Sequence, residues 1–440
     1  MRGEGSRRMG VRPWEFRPGF PGARPRAAAA LAAVVAVAVF AAGCGQASNS
    51  MEVDRGGSAE VWGPPKPEAA RLAAGSVGGL GFDVLRGLAE DAPDQNVILS
   101  PISLAAVLAM LHSGAAGDTA EAIARVLHVP GIDRATLADA VTQTLRFFQT
   151  GVSDVELSVA NALWARENAG FSTEYLDHLR DVFAAEVREQ DLGDPATAGA
   201  IDDWVRQKTR DRIDGIARDL GLPNPEAVMV LLNAVYFKGQ WTEPFDPRRT
   251  HPGTFHLADD TAVEVPMMMR DDAIASARGD GFTLVRLPYG DSQRFAFDII
   301  LPDAGRSLAD LLAGFDVDAW ARAAAALETE RVMLRLPRFE LEYSTGSYLD
   351  RVLRQLGMEV VYSGAADFSP MGGPVFQLDT VVQKTFIRVD EEGTEAAAVT
   401  GGVGVTSLPP EITVDRPFLL LISDTQTGII LFLGQVSDPR

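Results

Sequence analysis

Residues 228–241 read VMVLLNAVYFKGQW, and their first part, 228–237, is a continuous apolar run. Such a run is typical of a β-strand that is buried on both faces, because a strand with one wet face alternates apolar and polar side chains. A strand of this kind needs other strands beside it and further elements packed above and below. We therefore expect residues 228–237 to lie at the centre of the fold.

The segments on either side of this run predict further helices and strands. Apolar residues at helical spacing predict helices at 79–90, 104–112, 171–183 and 201–216. Short apolar or alternating runs predict strands at 96–101, 155–165, 297–301, 332–336, 381–389, 412–414, 418–422 and 429–433. Helices dominate early and strands late, and this segregation favours an α+β fold with largely antiparallel sheets.

The chain has 440 residues, of which 46% are hydrophobic, and a formal net charge of −20. This length and composition are enough to bury a large core. Removing the seven arginines and two glutamates that precede Cys44 would take the remaining body to −25. A body with this much negative charge repels polyanions. We therefore expect neither a nucleic-acid partner nor a heparin partner. The ordinary consequence of the charge is solubility.

Cysteine and histidine are scarce. The chain has one cysteine, Cys44, and five scattered histidines. A single cysteine allows no intramolecular disulfide and no cysteine-based zinc site. The histidines lack the His-Glu-x-x-His spacing of zinc proteases. The sequence therefore predicts no metal site and no cofactor.

The first 44 residues have the pattern of a secretory signal. Arginines crowd residues 1–26, an uncharged apolar run follows at 27–43, and the run ends in Ala-Ala-Gly before Cys44. This ending resembles a bacterial lipobox, so we expect a signal peptide at 1–43, lipidation of Cys44 and a flexible tether at 44–68. Two alternatives are cleavage without lipidation and retention of the apolar run as a membrane anchor.

Several runs, taken together in chain order, resemble the serpin family of protease inhibitors. They are NVILSPIS at 96–103, NAVYFKGQW at 233–241, LPRF at 336–339, YL at 348–349 with LGM at 356–358, VDEEGTEAAA at 389–398 and DRPF at 415–418. The resemblance covers about residues 71–439. It implies a single serpin domain at 69–440 with an α+β fold. The expected architecture has three largely antiparallel sheets, a central five-stranded sheet, about eight or nine surrounding helices and an exposed reactive loop at about 391–411.

The resemblance also implies a mechanism. A serine protease cuts the reactive loop and forms an acyl-enzyme, and the cut loop then inserts into the central sheet as an extra strand. The protease is carried along and its active site is distorted before it can hydrolyse the ester. The chain is therefore expected to be a suicide-substrate inhibitor of serine proteases and not an enzyme.

The hinge of the reactive loop satisfies the physical demands of insertion. It comprises Glu391, Glu392, Gly393, Thr394, Glu395, Ala396, Ala397 and Ala398. Because alternate residues of a strand point to one face, Thr394, Ala396 and Ala398 would be buried while Glu395 stays in water. Glycines at 401, 402 and 404 suit a strand less well and predict slower insertion or a more mobile loop.

Two counts place the reactive bond. Counting from Glu391 gives Ser407–Leu408, and counting back from the prolines at 409 and 410 gives Thr406–Ser407. In both cases the residue before the cut is small and uncharged. This disfavours trypsin-like proteases, whose pockets hold a buried acid. The expected partners are elastase-like or subtilisin-like serine proteases.

The family's motifs imply a cluster at the point where the loop first enters the sheet, here called the breach. By position, its members in this sequence are Trp241, Arg338 and Glu391. The resemblance implies an ion pair between Arg338 and Glu391.

A second cluster, here called the shutter, should lie beneath the opening of the sheet. Its members by position are Ser100, Ser103, Asn233 and Gln383. Many serpins carry a histidine at the position of Gln383. An amide can still bond the two serines and Asn233, but it does not titrate, which puts any pH dependence of the opening in doubt.

Three alternatives remain beside the inhibitor. A serpin fold without inhibition, such as a binding or chaperone-like protein, is disfavoured by the small hinge, but the glycines keep it open. A passive protease substrate, whose loop is cut but inserts too late to hold the protease, is also open. A hydrolase is disfavoured because no Gly-x-Ser-x-Gly motif occurs. We expect a monomer that is extracellular, either secreted or held at the cell surface through a lipid on Cys44, with no other membrane contact.

Overall fold

The computed structural model describes residues 63–149, 155–373, 376–394 and 409–440. Its helices within these ranges are α1 (Pro67–Asp91), α2 (Pro101–Ser113), α3 (Gly117–Val126), α4 (Arg134–Gln149), α5 (Thr173–Phe183), α6 (Pro195–Lys208), α7 (Ile216–Asp219), α8 (Leu308–Gly314), α9 (Val317–Ala325) and α10 (Tyr348–Leu353). These are ten α-helices, one more than the upper expected number.

The described ranges contain fifteen strands. They are β1 (Val97–Leu99), β2 (Val155–Arg166), β3 (Glu186–Gln190), β4 (Met229–Gln240), β5 (His251–His256), β6 (Ala262–Arg278), β7 (Phe282–Tyr289), β8 (Phe295–Pro302), β9 (Glu328–Pro337), β10 (Phe339–Ser344), β11 (Lys384–Val389), β12 (Gly393–Thr394), β13 (Glu411–Thr413), β14 (Phe418–Asp424) and β15 (Ile429–Val436). The α+β fold class predicted from the sequence is confirmed.

Local sequence signals explain where several helices begin. Ser172 accepts a hydrogen bond from the N–H of Tyr175 and caps α5, and Asp316 caps α9 in the same way through Ala319. Side-chain oxygens at these positions satisfy N–H groups that have no partner inside the helix. α1 has a proline in its first turn and buries one apolar stripe, which includes Leu80, Val84 and Leu88.

The largest sheet carries most of the core. Its strand order is β1-β15-β14-β8-β7-β6-β9-β13, with β5 paired to β6. Every residue of β8, β14 and β15 is buried, which explains why these strands are predominantly apolar in the sequence. Neighbouring strands are antiparallel except for β9 and β13, which run parallel.

The five expected central strands are present, but their hydrogen-bonded ladder is interrupted. β3, β2 and β4 form one ladder, and β10 and β11 form another. No ladder joins β4 to β11 among the described residues. The two-residue strand β12 pairs with the end of β4 and also contacts β11, so it sits at one end of the interruption. This opening positions the candidate site.

The predicted helix at 201–216 differs from the structure. α6 ends at Lys208, and Arg210 and Asp211 then adopt positive φ values of 53° and 61°. Such backbone cannot continue a right-handed helix. The hydroxyl of Thr209 instead donates to the carbonyl of Val205 and accepts from Ile213, which caps the helix and redirects the chain. A short separate helix, α7, begins at Ile216.

Candidate functional site

Two residues of the hinge, Gly393 and Thr394, already pair with the central sheet. Gly393 lies opposite Gln240, and Thr394 lies opposite Gly239, in an antiparallel ladder. Gly393 has a φ of 146°, and a Cβ atom there would lie 2.2 Å from the carbonyl oxygen of Gly239. Only glycine accepts both this backbone conformation and this close approach. The start of the expected reactive loop is therefore seated against the end of β4.

Trp241 donates hydrogen bonds to two main-chain carbonyls where the reactive loop begins. Its main-chain N–H donates to the carbonyl of Glu392 at 3.0 Å, and its indole Nε1 donates to the carbonyl of Asp390 at 2.9 Å. The indole ring stacks on Tyr289 with centroids 4.6 Å apart and an interplanar angle of 13°. Because the ring is buried and bonded, it forms a rigid wall of the breach.

Glu391 has two side-chain partners at the breach. Its Oε1 accepts a hydrogen bond from the Thr250 hydroxyl at 2.7 Å and lies 3.5 Å from Nη1 of Arg338. Its main-chain carbonyl accepts from the N–H of Phe245 at 2.7 Å. The structure thus brings Trp241, Arg338 and Glu391 together. The neutral contact with Thr250 is shorter than the ionic contact.

A buried arginine packs against Phe245, the residue whose N–H binds the Glu391 carbonyl. The guanidinium of Arg270 lies 5.3 Å from the ring centroid of Phe245, and its Nη1 donates to the carbonyl of Glu243. Burial lowers the pKa of Arg270 below its usual value, with nearby carboxylates acting in the opposite sense. The guanidinium stays protonated at neutral pH because its unperturbed pKa is so high. It therefore places a fixed positive charge behind Phe245.

A cavity of about 440 Å³ lies between β4 and the segment that leads into β11. The four expected shutter residues, Ser100, Ser103, Asn233 and Gln383, all line it. Most of the remaining lining is apolar and includes Phe432. Strand edges without ladder partners on both sides of such an opening can accept an added strand.

The hydrogen bonds of the shutter differ from the expected pattern. The Gln383 amide makes two hydrogen bonds to the main chain of Ser100. Its Oε1 accepts from the Ser100 N–H at 2.8 Å, and its Nε2 donates to the Ser100 carbonyl at 2.9 Å. The Ser100 hydroxyl donates elsewhere, to the carbonyl of Leu431 at 2.7 Å. Gln383 therefore binds the peptide groups of Ser100 and not its hydroxyl.

Asn233 belongs to the opposite wall of the opening. Its Nδ2 donates to Oδ1 of Asn161 at 2.6 Å, and Asn161 in turn donates to the carbonyl of Phe183 at 2.7 Å. Its own Oδ1 is buried and has no hydrogen-bond partner in the described part of the chain. The expected bond between Gln383 and Asn233 is not formed, because the cavity lies between their two walls.

Three residues of the site were not predicted from the sequence: Asp390, Thr250 and Asn161. The signal for Asp390 was present, because an Asp three residues before a Gly is typical of a turn in which the carboxylate accepts main-chain N–H groups. Thr250 and Asn161 carry no local signal. Each acts through a partner that is distant in the sequence, Glu391 and Asn233 respectively.

Several predicted positions lie outside the described residues. They are Cys44, the hinge residues Glu395, Ala396, Ala397 and Ala398, and the reactive-bond residues Thr406, Ser407 and Leu408. Across the described ranges, no group of three or more His, Cys, Asp or Glu side chains could hold a metal ion. No helix in those ranges has the length and apolar character needed to cross a membrane.

Comparisons with known proteins identify the family. The family model described as "Serpin (serine protease inhibitor)" matches residues 76–439. Serpin A3-6 of Bos taurus is 34% identical over 366 residues, which cover 81% of this chain and 86% of that protein. A serpin-like protein of Thermococcus kodakarensis is 34% identical over 368 residues, covering 82% of this chain and 84% of that protein.

Solved structures agree with this result. Human thyroxine-binding globulin superposes with a TM-score of 0.75 at 27% identity, covering 84% of this chain and 99% of that one. The chain belongs to the serpin family. Its general class is therefore that of protease inhibitors, which are not enzymes in the catalytic sense.

Proposed function

We propose that this protein is a suicide-substrate inhibitor of serine proteases that acts by loop cleavage, acyl-enzyme trapping and strand insertion. The observation that carries the proposal is the pairing of Gly393 and Thr394 with β4 at one end of an open, unpaired gap between β4 and β11. A loop that starts from this position can enter the gap without first finding its register.

The register of β12, continued along β4, leads into the gap. Continuing the ladder from Thr394 would place Glu395 opposite Lys238 and Ala396 opposite Phe237. Opposite charges directly across two strands are favourable, and a small side chain fits against a buried aromatic one. β11 offers a matching second edge, because its residues alternate between buried and half-buried positions as a strand with one covered face requires.

The sequence of the loop supports a preference for proteases with shallow pockets. The residue before the cut is Thr406 or Ser407, and neither fills a deep pocket or pairs with a buried acid. We therefore propose elastase-like or subtilisin-like enzymes as targets. The bonds Thr406–Ser407 and Ser407–Leu408 remain the two candidates for the cut.

The proposal places the protein outside the cell as a monomer. Its basis is the signal-like sequence at 1–43, with Cys44 as the site of a lipid that tethers the body through residues 44–68. Mass spectrometry of the protein from the membrane fraction tests this directly. A diacylglyceryl group on Cys44 supports a lipid anchor, and an unmodified Cys44 in the culture medium supports simple secretion.

The competing function is a passive protease substrate. The glycines at 401, 402 and 404 favour it, because glycine costs more conformational entropy on ordering than other residues. Slow insertion would let the protease hydrolyse the acyl-enzyme and leave. The two functions differ in whether an adduct outlives the cut.

Incubation of the full-length protein with an elastase, and separately with subtilisin, tests the proposal. We expect a band at the summed mass that survives boiling in detergent. Thr394→Arg is the matched control, because a charged side chain at an inward position resists burial while the bond itself stays intact. This variant should be cut without forming the adduct. Cleavage of the unaltered protein with no adduct would reject inhibition of these proteases.

A further inference from the structure

Asp390 makes five polar contacts at the point where β11 ends and the reactive loop begins. Its Oδ1 accepts from the N–H groups of Glu392 at 3.0 Å and Gly393 at 3.3 Å, and its Oδ2 accepts from Nε of Arg388 at 3.0 Å. Its own N–H donates to the carbonyl of Gly393 at 3.1 Å, and its carbonyl accepts from the indole of Trp241 at 2.9 Å.

These contacts close a turn at 390–393 that reverses the chain from β11 into β12. An Asp at the first position of such a turn is favoured because its carboxylate replaces main-chain acceptors for the N–H groups that follow. The side chain is 10% exposed, so these N–H groups have little access to water as an alternative partner. The same turn places Gly393 opposite Gln240.

We infer that Asp390 is the positioning residue that starts loop insertion and sets its register. A slip of one residue would turn every side chain of the inserted strand to the other face. Glu395 would then face inward, at the cost of burying a carboxylate. The Asp390 carboxylate bonds to Arg388 before the turn and to Glu392 and Gly393 within it, and so fixes the register before the protease binds. The inference rests on the proposed function, since it concerns how the same loop inserts.

The negative charge of Asp390 has a partner, because Arg388 lies within ion-pair distance of its carboxylate. Arg388 lies 3.0 Å from Asp390 and 3.9 Å from Glu340, and its side chain is 43% exposed. It fixes the orientation of the Asp390 carboxylate while leaving Oδ1 free for the turn. An amide at this position would keep one acceptor for the N–H groups but would lose the charge-assisted contact with Arg388.

Amide hydrogen exchange at 392–394 in the uncut, full-length protein measures the turn directly. We expect Asp390→Ala to speed exchange by about tenfold or more, because a part-buried N–H at Glu392 and a buried N–H at Gly393 lose their acceptor. Asp390→Asn keeps one acceptor but loses the contact with Arg388, so its exchange should be measurably faster than in the unaltered protein and slower than in the alanine variant, and it carries the test if the alanine variant does not fold. Glu340→Ala is the control, because it removes the more distant partner of Arg388 and leaves the turn intact.

Reaction with an elastase measures the consequence. We expect Asp390→Ala to leave the rate of loop cleavage unchanged and to raise several-fold the number of inhibitor molecules consumed per protease trapped, with Asp390→Asn in between. Unchanged exchange in both variants would overturn the inference. Faster exchange with an unchanged stoichiometry would also overturn it, because Asp390 would then order the hinge without directing insertion.

The inference and the proposed function fail in different ways. If the unaltered protein traps no protease, inhibition is rejected, but the gain in thermal stability after the loop is cut still reports insertion. A smaller gain in Asp390→Ala than in the unaltered protein would support the positioning role. An equal gain would overturn it.

Discussion

Nη1 of Arg338 and Oε1 of Glu391 lie 3.5 Å apart, and the two partners differ sharply in exposure. The Glu391 side chain is 9% exposed, whereas that of Arg338 is 49% exposed. Solvent therefore screens the ion pair from the side of Arg338, while the carboxylate depends on its shorter contact with Thr250. The ion pair implied by the family resemblance is present, but it is not the main anchor of the hinge.

This asymmetry predicts unequal costs for removing the two partners. Arg338→Ala should lower the free energy of unfolding by less than about 1 kcal/mol, as exposed ion pairs do. Glu391→Ala should cost about 1–3 kcal/mol, because it leaves the part-buried Thr250 hydroxyl without its acceptor. Denaturant unfolding measures both, with Arg125→Ala in the exposed Arg125–Glu121 pair as the control. A larger cost for Arg338→Ala than for Glu391→Ala would contradict this account.

Gly393→Ala should release the hinge from β4. Its Cβ would clash with the carbonyl of Gly239, and its φ of 146° strains any residue with a side chain. We expect faster hydrogen exchange at 239–241 and more protease escaping after the cut. Gly75→Ala in α1 is the control, because a Cβ there meets nothing within 4 Å. Unchanged exchange in Gly393→Ala would show that β12 is not seated in the resting protein.

Gln383→Leu should destabilise the uncut protein. It leaves the buried N–H of Ser100 without its partner, whereas the carbonyl keeps the N–H of Leu104 at 3.1 Å, and we put the loss at about 1–3 kcal/mol. Thermal and urea unfolding of the uncut form measure it. Gln95→Leu, at an exposed position, should change the free energy of unfolding by less than about 0.5 kcal/mol. Equal losses of unfolding free energy in the two variants would show that the bonds from Gln383 to Ser100 do not stabilise the uncut protein.

Acid should destabilise the fold through His112. Burial is the main cause that lowers the pKa of His112, and the positive charge of Arg134 adds to it. The unfolded chain therefore binds this proton more readily than the folded one. The stability that depends on a neutral His112 is fully present above the pKa of about 6.5 that histidine has in the unfolded chain. It is lost as the pH falls below that value. Burial and Arg134 lower the pKa of His178 in the same direction.

Urea unfolding at pH 8 and pH 5.5 checks this prediction. The unaltered protein should lose stability at the lower pH, and His112→Asn should lose less of it. Equal losses in the two proteins would assign the acid sensitivity to other groups. The grip of Gln383 on Ser100 should not contribute, because an amide does not titrate in this range.

The sequence predicted the elements whose character is decided locally. The apolar run at 228–237 became β4, and the runs at 418–422 and 429–433 became the buried strands β14 and β15. It failed at the ends of two elements. The helix predicted at 201–216 stops at Lys208, where the Thr209 side chain bonds to main-chain groups four residues away on both sides. The strand predicted at 381–389 starts only at Lys384, because the N–H groups of Val381 and Gln383 donate to the distant side chains of Asp350 and Thr345.

The candidate site also contains some features that its motifs predict and others that depend on distant parts of the chain. Glu391 and Trp241 follow from their motifs, but the preference of Glu391 for Thr250 depends on a partner 141 positions away. Gln383 lies beside Ser100, but its hydrogen bonds go to peptide groups that no side-chain pattern encodes. The separation of Asn233 from Gln383 depends on the gap between β4 and β11, which is a property of the whole sheet.

The most direct test of strand insertion is amide hydrogen exchange of β4 and β11 before and after the loop is cut. Insertion predicts that N–H groups of both strands facing the gap gain strong protection, and that the cut protein unfolds at a clearly higher temperature than the intact one. Unchanged protection in β4 and β11, with an unchanged or lower unfolding temperature, would contradict the central claim that this loop enters the sheet.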